Sequence, residues 1–142
     1  MQIRSSVMSH TGECLCGNVS YKLEGEAMFS VVCHCKNCQK QSGSAFSVNL
    51  ICGQDQIELT GKLSSYEDRS DEGNQVFRKF CGNCGSPILS ELTAYPGLIA
   101  LKAGTLHDTA SVKPNSQVWC DSGQDWLNIE GVTPRFAKNR TD

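Results

Sequence analysis

Three of the chain's nine cysteines, Cys33, Cys35 and Cys38, fall within the six-residue run CHCKNC. Thiols so closely spaced can converge on one metal ion. A tetrahedral zinc ion held by three protein groups keeps its fourth position for water or substrate, the usual difference between a catalytic and a structural site. Four more cysteines form two-ligand half-sites, Cys14 and Cys16 in GECLCGNVSY and Cys81 and Cys84 in CGNCGSP. Brought together by folding, these halves make a four-cysteine zinc centre that ties the amino-terminal part of the chain to its middle. Such a centre can supply much of the folding free energy of a small domain. The expectation is two zinc ions per chain, a structural one on Cys14, Cys16, Cys81 and Cys84 and an open one on Cys33, Cys35 and Cys38. The competing reading closes the second site with a fourth ligand from His34, His107, Cys52 or Cys120.

Nine cysteines also raise the question of disulfides. The odd count, the grouping of seven of the nine and the absence of a secretion signal favour metal in a reducing compartment, so the expected location is cytoplasmic. Two cysteines one residue apart suit a metal knuckle better than a mutual disulfide. A formal net charge of -2, with 13 scattered basic residues, argues against nucleic acid, which calls for a basic patch. No apolar run approaches the roughly 18 residues of a membrane span. Residues 1–11 are polar and read as a flexible leader, with residues 12–142 as one domain. Oligomeric state is open.

The elements that must position the cysteines read as strands. Val19, Tyr21 and Leu23 alternate with polar residues; Phe29, Val31 and Val32 lead into Cys33; Phe46, Val48 and Leu50, then Ile57 and Leu59, repeat the period of two. The QKQSGS segment after CHCKNC reads as a helical turn or loop, with the Gly43 and Ser44 N–H groups and the Ser42 or Ser44 hydroxyl as candidates for orienting substrate. Residues 62–74 are polar, with Leu63 and Tyr66 as anchors, and read as a surface excursion. Val76, Phe77 and Phe80 feed the second knuckle, and LIALKAG is another strand. Val118, Trp119, Trp126, Leu127 and Phe136 read as a closing hairpin or wrap. No stretch sustains a helical period, so a mainly β domain follows. His34 lies between two ligands, and its side chain is expected to point away from the metal. Cys52 reads as a small core residue.

Taken in order, GECLCGNVSY, CHCKNCQKQSGSAF, FCGNCGSPI, GTLHD and a late P-x-x-x-x-W segment with a second Trp resemble the glutathione-dependent formaldehyde-activating enzyme family. The resemblance runs from about Gly12 to Trp126. It implies a β-tent fold stapled by zinc knuckles, with the four- and three-cysteine zinc sites assigned as above. It also implies a carbon–sulfur lyase that, run in reverse, adds glutathione to formaldehyde to give S-(hydroxymethyl)glutathione. The partners would then be a glutathione-like thiol and a small aldehyde. The chain departs from the family pattern at His107, where an acidic residue is frequent, and at Gln117, where His is common. The chemistry agrees with the residues: thiolate is the nucleophile that adds to an aldehyde, and zinc deprotonates a thiol outright. Two other readings stand beside this one, a non-catalytic zinc-stabilised binding module and a thiol reductase acting through Cys120.

Overall fold

The protein is described by a computed structural model covering residues 9–70 and 72–141. Period-two alternation builds β2 (Ser20–Glu24), which buries Tyr21 and Leu23 and turns Lys22 and Glu24 outward. It pairs antiparallel with β1 (Ser9–Glu13) and β5 (Ile57–Thr60) to form a three-stranded sheet, β1-β2-β5. The other strands are β3 (Phe29–Cys33), β4 (Ser47–Gly53), β6 (Leu63–Arg69), β7 (Gln75–Cys81), β8 (Pro87–Leu92), β9 (Leu98–Lys102) and β10 (Ser116–Val118). They form a seven-stranded sheet in the order β10-β3-β4-β9-β8-β7-β6, antiparallel except where β10 runs parallel to β3. The mainly β expectation is met.

The main core lies where the small sheet meets one face of the large one: Val19, Tyr21 and Leu23 pack with Leu50, Cys52, Ile88, Ile99 and Leu101. The opposite face of the large sheet carries a second, smaller apolar group, Val31, Ile51 and Ala100 with Phe29, Leu92 and Leu98. Both faces of β4 and β9 are therefore buried, which is why their sequences read as nearly continuous apolar runs.

Two expectations are corrected. Residues 9–11, assigned to the leader, belong to β1; that strand has little apolar content and is held by its backbone pairing with β2. The rest of the leader lies outside the described residues. The polar 62–74 segment is not an excursion but contains β6, an edge strand paired along its length with β7, from Leu63 opposite Cys81 to Arg69 opposite Gln75. An edge strand with both faces largely wet leaves no apolar alternation to read. Of the two forms expected for the carboxy-terminal part, hairpin or wrap, it takes the wrap: residues 134–138 run alongside β10 and its continuation, with Gln117 N–H donating to Pro134 O and Trp119 N–H to Lys138 O.

Candidate metal centres and an adjoining cavity

The two half-sites meet. The sulfurs of Cys14, Cys16, Cys81 and Cys84 all lie within 4.8 Å of one another, with Cys14 to Cys16 at 3.6 Å and Cys16 to Cys81 at 3.8 Å. A tetrahedral ion with bonds of about 2.3 Å spaces its sulfurs about 3.8 Å apart, so the four residues fit zinc. Each knuckle turns back after its last cysteine at a glycine with positive φ, Gly17 at 83° and Gly85 at 83°, a conformation that side chains other than hydrogen resist. The turns aim N–H groups at the sulfurs or close the loop: Val19 N–H donates to Cys14 Sγ at 3.2 Å and Gly85 N–H to Cys81 O at 2.8 Å. The Ser86 hydroxyl, 3.2 Å from Cys84 Sγ, is the main cause holding the Cys84 thiol down at about 5, with the Ser86 backbone next. That hydrogen bonding favours thiolate at Cys84.

The second cluster has three members. Cys33 ends β3, Cys35 caps helix α1 (Lys36–Ser42), and Cys38 sits in its first turn. Their sulfurs also lie within 4.8 Å of one another, with Cys33 to Cys38 at 3.4 Å. Cys35 Sγ accepts the Cys38 N–H at 3.2 Å, so one sulfur serves as helix cap and candidate ligand together. Without a cation the three thiols cannot all ionise. Hydrogen bonds from Cys33 and then Cys35 hold Cys38 well below the usual thiol value, against the effect of burial, while bonding to Cys35 and Cys38, then burial, drives Cys33 up. A bound cation removes this conflict, and the donor set suits zinc.

Among the described residues no further His, Cys, Asp or Glu joins the trio. The alternative fourth ligands are each engaged or placed elsewhere. His34 is buried and directs Nε2 to Gln117 Oε1 at 2.8 Å. Gln117 in turn donates to the carbonyls of Ile129 and Val132, which fixes its oxygen toward His34 and makes His34 Nε2 the protonated nitrogen. His107 is exposed, beside Thr11 Oγ1 at 2.9 Å and Glu13 at 3.8 Å. Cys52 is fully buried in the main core. Cys120 is half-buried in a single 3-10 turn (Cys120–Ser122) and belongs to neither cluster. Ser42, Gly43 and Ser44 are not brought to the site. The Gly43 and Ser44 N–H groups close the end of α1 on the Lys40 and Gln39 carbonyls, Ser42 Oγ faces Gln39 O and Phe46 O, and none of the three lines the cavity described next.

The trio forms one end of a cavity of about 400 Å³ on the outer face of the large sheet. Its floor is set by register: Asn49 lies opposite Lys102, Ile51 opposite Ala100, Ala100 opposite Ser90, and Ser90 opposite Arg78. Lys102 Nζ donates to Asn49 Oδ1 at 2.9 Å, and the residue is only 8% exposed. Burial lowers the Lys102 pKa, with the Cys38 charge acting in the opposite direction. Arg78 Nε donates to Asp68 at 2.8 Å, and Asp68 also accepts from Asn37 of α1, tying the helix that carries Cys38 to β6 and β7. Along the wall, Trp119 Nε1 donates to Asn139 Oδ1 and Asn139 Nδ2 to Glu72, both at 3.0 Å. Trp119 has φ 56°, in the left-handed region, a backbone conformation that costs energy in a bulky residue. Sequence reasoning passed over Lys102, Ser90 and Arg78. The available signal was polar residues in otherwise apolar strands, Lys102 in LIALK and Ser90 in PILSEL.

The geometry defines a class, a β protein with two cysteine clusters that could each hold a metal ion, of which the three-sulfur one faces a cavity. Residues 9–122 match the model of the family described as glutathione-dependent formaldehyde-activating enzyme, and the chain belongs to that family. Among solved structures, the fold is similar to a Rhodobacter sphaeroides protein at TM-score 0.56 and 18% identity, over 73% of this chain and 91% of that one. No curated protein matches the chain. Among the described residues no helix is long and apolar enough to cross a membrane.

Proposed function

We propose that the chain is a zinc-dependent carbon–sulfur lyase working in the synthetic direction, adding a thiol such as glutathione to formaldehyde or a related small aldehyde. The observation that carries this reading is the trio of Cys33, Cys35 and Cys38, gathered within 4.8 Å, lacking a fourth partner among the described residues and lining a cavity. Zinc held there would lower the pKa of a substrate thiol enough to present it as thiolate. Cys14, Cys16, Cys81 and Cys84 hold the second zinc as a fixed staple.

The protein's own groups do the rest. Three sulfur ligands leave an ion little power to polarise a carbonyl, so the developing charge on the aldehyde oxygen needs donors from the chain. Lys102, buried in the same cavity with its ammonium donating to Asn49, would supply positive charge there. The Arg78–Asp68–Asn37 chain of contacts fixes α1, and so Cys38, against the sheet. Keeping seven thiols available as ligands requires a reducing compartment, and we place the protein in the cytoplasm.

The test is a mixing assay in which glutathione and formaldehyde exchange with their adduct, followed by NMR, with the uncatalysed background subtracted. Zinc-loaded protein should accelerate exchange, and Cys35→Ser should lose the acceleration. Exchange unaltered by the wild-type protein would overturn the reading.

A further inference from the structure

The cavity floor changes character along its length. At the trio's end lie Asn49 and Lys102; the next register row carries Phe29, Ile51 and Ala100 together with Ser90 and Arg78, and Leu98 and Leu92 lie beyond it. Register explains the gradient. On β9 the residues facing the cavity are Lys102, Ala100 and Leu98, so one strand passes from an ammonium to a branched alkyl group over four residues, about 13 Å. Formaldehyde has no carbon substituent with which to use the apolar half.

Ser90 supplies a second, independent observation. It is 2% exposed, its Oγ has no hydrogen-bond partner among the described residues, and it lines the cavity between Ala100 and Arg78 in the strand register. A buried hydroxyl left unpaired costs about 1–3 kcal/mol, so one that lines a cavity is a site for a partner entering that cavity, water or ligand. Lys102 lies two residues beyond Ala100, the residue opposite Ser90, on the same face of β9. The two side chains thus offer donors at the boundary between the polar and apolar halves.

We infer that the carbon partner at this site is an aldehyde bearing an apolar substituent of about five to eight carbons, whose oxygen is taken by Lys102 and Ser90 and whose chain lies along Ile51, Ala100 and Leu98. This rests on the carbon–sulfur chemistry proposed above and names its substrate class. In the reaction the thiol releases its proton to solvent, and its sulfur forms the new bond to the carbonyl carbon. The carbon–oxygen π pair moves onto the oxygen, which takes a proton from solvent. One thiol and one aldehyde give one hemithioacetal with no oxidant or reductant.

A homologous series isolates the effect, because propanal, butanal, pentanal and hexanal differ little in intrinsic electrophilicity. With glutathione as thiol and zinc-loaded protein, kcat/KM should rise by about fourfold per methylene that reaches the apolar wall, and by at least about tenfold from propanal to hexanal. Ala100→Leu, which fills the wall, should bring the hexanal-to-propanal ratio close to one. The ratio is read within one preparation, so partial misfolding cannot imitate the result. Unreactive hexan-1-ol, titrated into the full chain and followed by amide NMR, should shift Ile51, Ala100 and Leu98, whereas ethanol at the same concentration should not. A flat series in a protein that turns over formaldehyde overturns the inference and leaves the proposed function standing. Binding of hexan-1-ol along this wall with no aldehyde turned over supports the apolar subsite and overturns the proposed reaction.

Discussion

Replacing Cys16 and Cys84 together by serine removes one sulfur from each knuckle while leaving the two buried members, Cys14 and Cys81, in place. Packing loss is small, so the change in stability reports the metal cross-link. Cys16 and Cys81 are separated by 65 residues in sequence and 3.8 Å in space. Closing a loop of that length restricts the unfolded chain by about 4 kcal/mol on the chain-entropy relation for cross-links. For a chain of this size that corresponds to a fall of roughly 10 °C in the unfolding midpoint. Cys35→Ser is the matched comparison. Its trio closes a loop of only six residues, and serine caps a helix as well as the sulfur it replaces, so the cap accepting the Cys38 N–H is kept. On the same relation a six-residue loop is worth about 2 kcal/mol, so Cys35→Ser should lower the midpoint by about 5 °C, half the effect of the double variant, while losing about one zinc per chain. Thermal unfolding by circular dichroism, with zinc counted by mass spectrometry on the same samples, reads both quantities. Equal destabilisation by the two variants would refute the division into a staple and an open site.

Two further outcomes follow from buried groups. Burial raises the Cys52 thiol from 9.0 to about 11, so the folded state keeps a proton that the unfolded state gives up first; stability present below pH 9 is lost between about pH 9 and 11. That loss comes to about 2–3 kcal/mol, so Cys52→Ala, about 1 kcal/mol less stable than wild type at pH 8 by urea unfolding, should become the more stable protein at pH 11. Parallel pH curves for the two proteins would contradict it. Ser90→Ala removes a buried hydroxyl without a partner among the described residues and should stabilise the free protein by about 1–2 kcal/mol while slowing adduct formation. A loss of stability in urea unfolding would mean that the hydroxyl is paired in the folded chain.

The two cysteine clusters were legible in the sequence because knuckle geometry is local. Cys14-Leu15-Cys16-Gly17 and Cys81 through Gly85 carry their own turn residues, and CHCKNC places three sulfurs within reach of one point whatever the rest of the chain does. Strands with one wet face, such as β2, were equally plain. β6 was not, because an edge strand wet on both sides shows no alternation, and β1 is held by backbone bonds that no side chain advertises. The cavity floor was hidden for a different reason. Lys102, Ser90 and Arg78 come from three strands and meet only through sheet register, a long-range property. The substrate-orienting role expected of Gly43 and Ser44 failed because their N–H groups were needed to end α1, an obligation that outranks a hypothetical ligand.

Zinc K-edge X-ray absorption on the fully loaded protein addresses the open corner itself. Four sulfurs at one site and three at the other give an average of about 3.5 sulfurs per zinc, which should rise to about 4 when glutathione is added. An average of 4 before any thiol is present, or one that stays near 3.5 with saturating glutathione, would contradict the account.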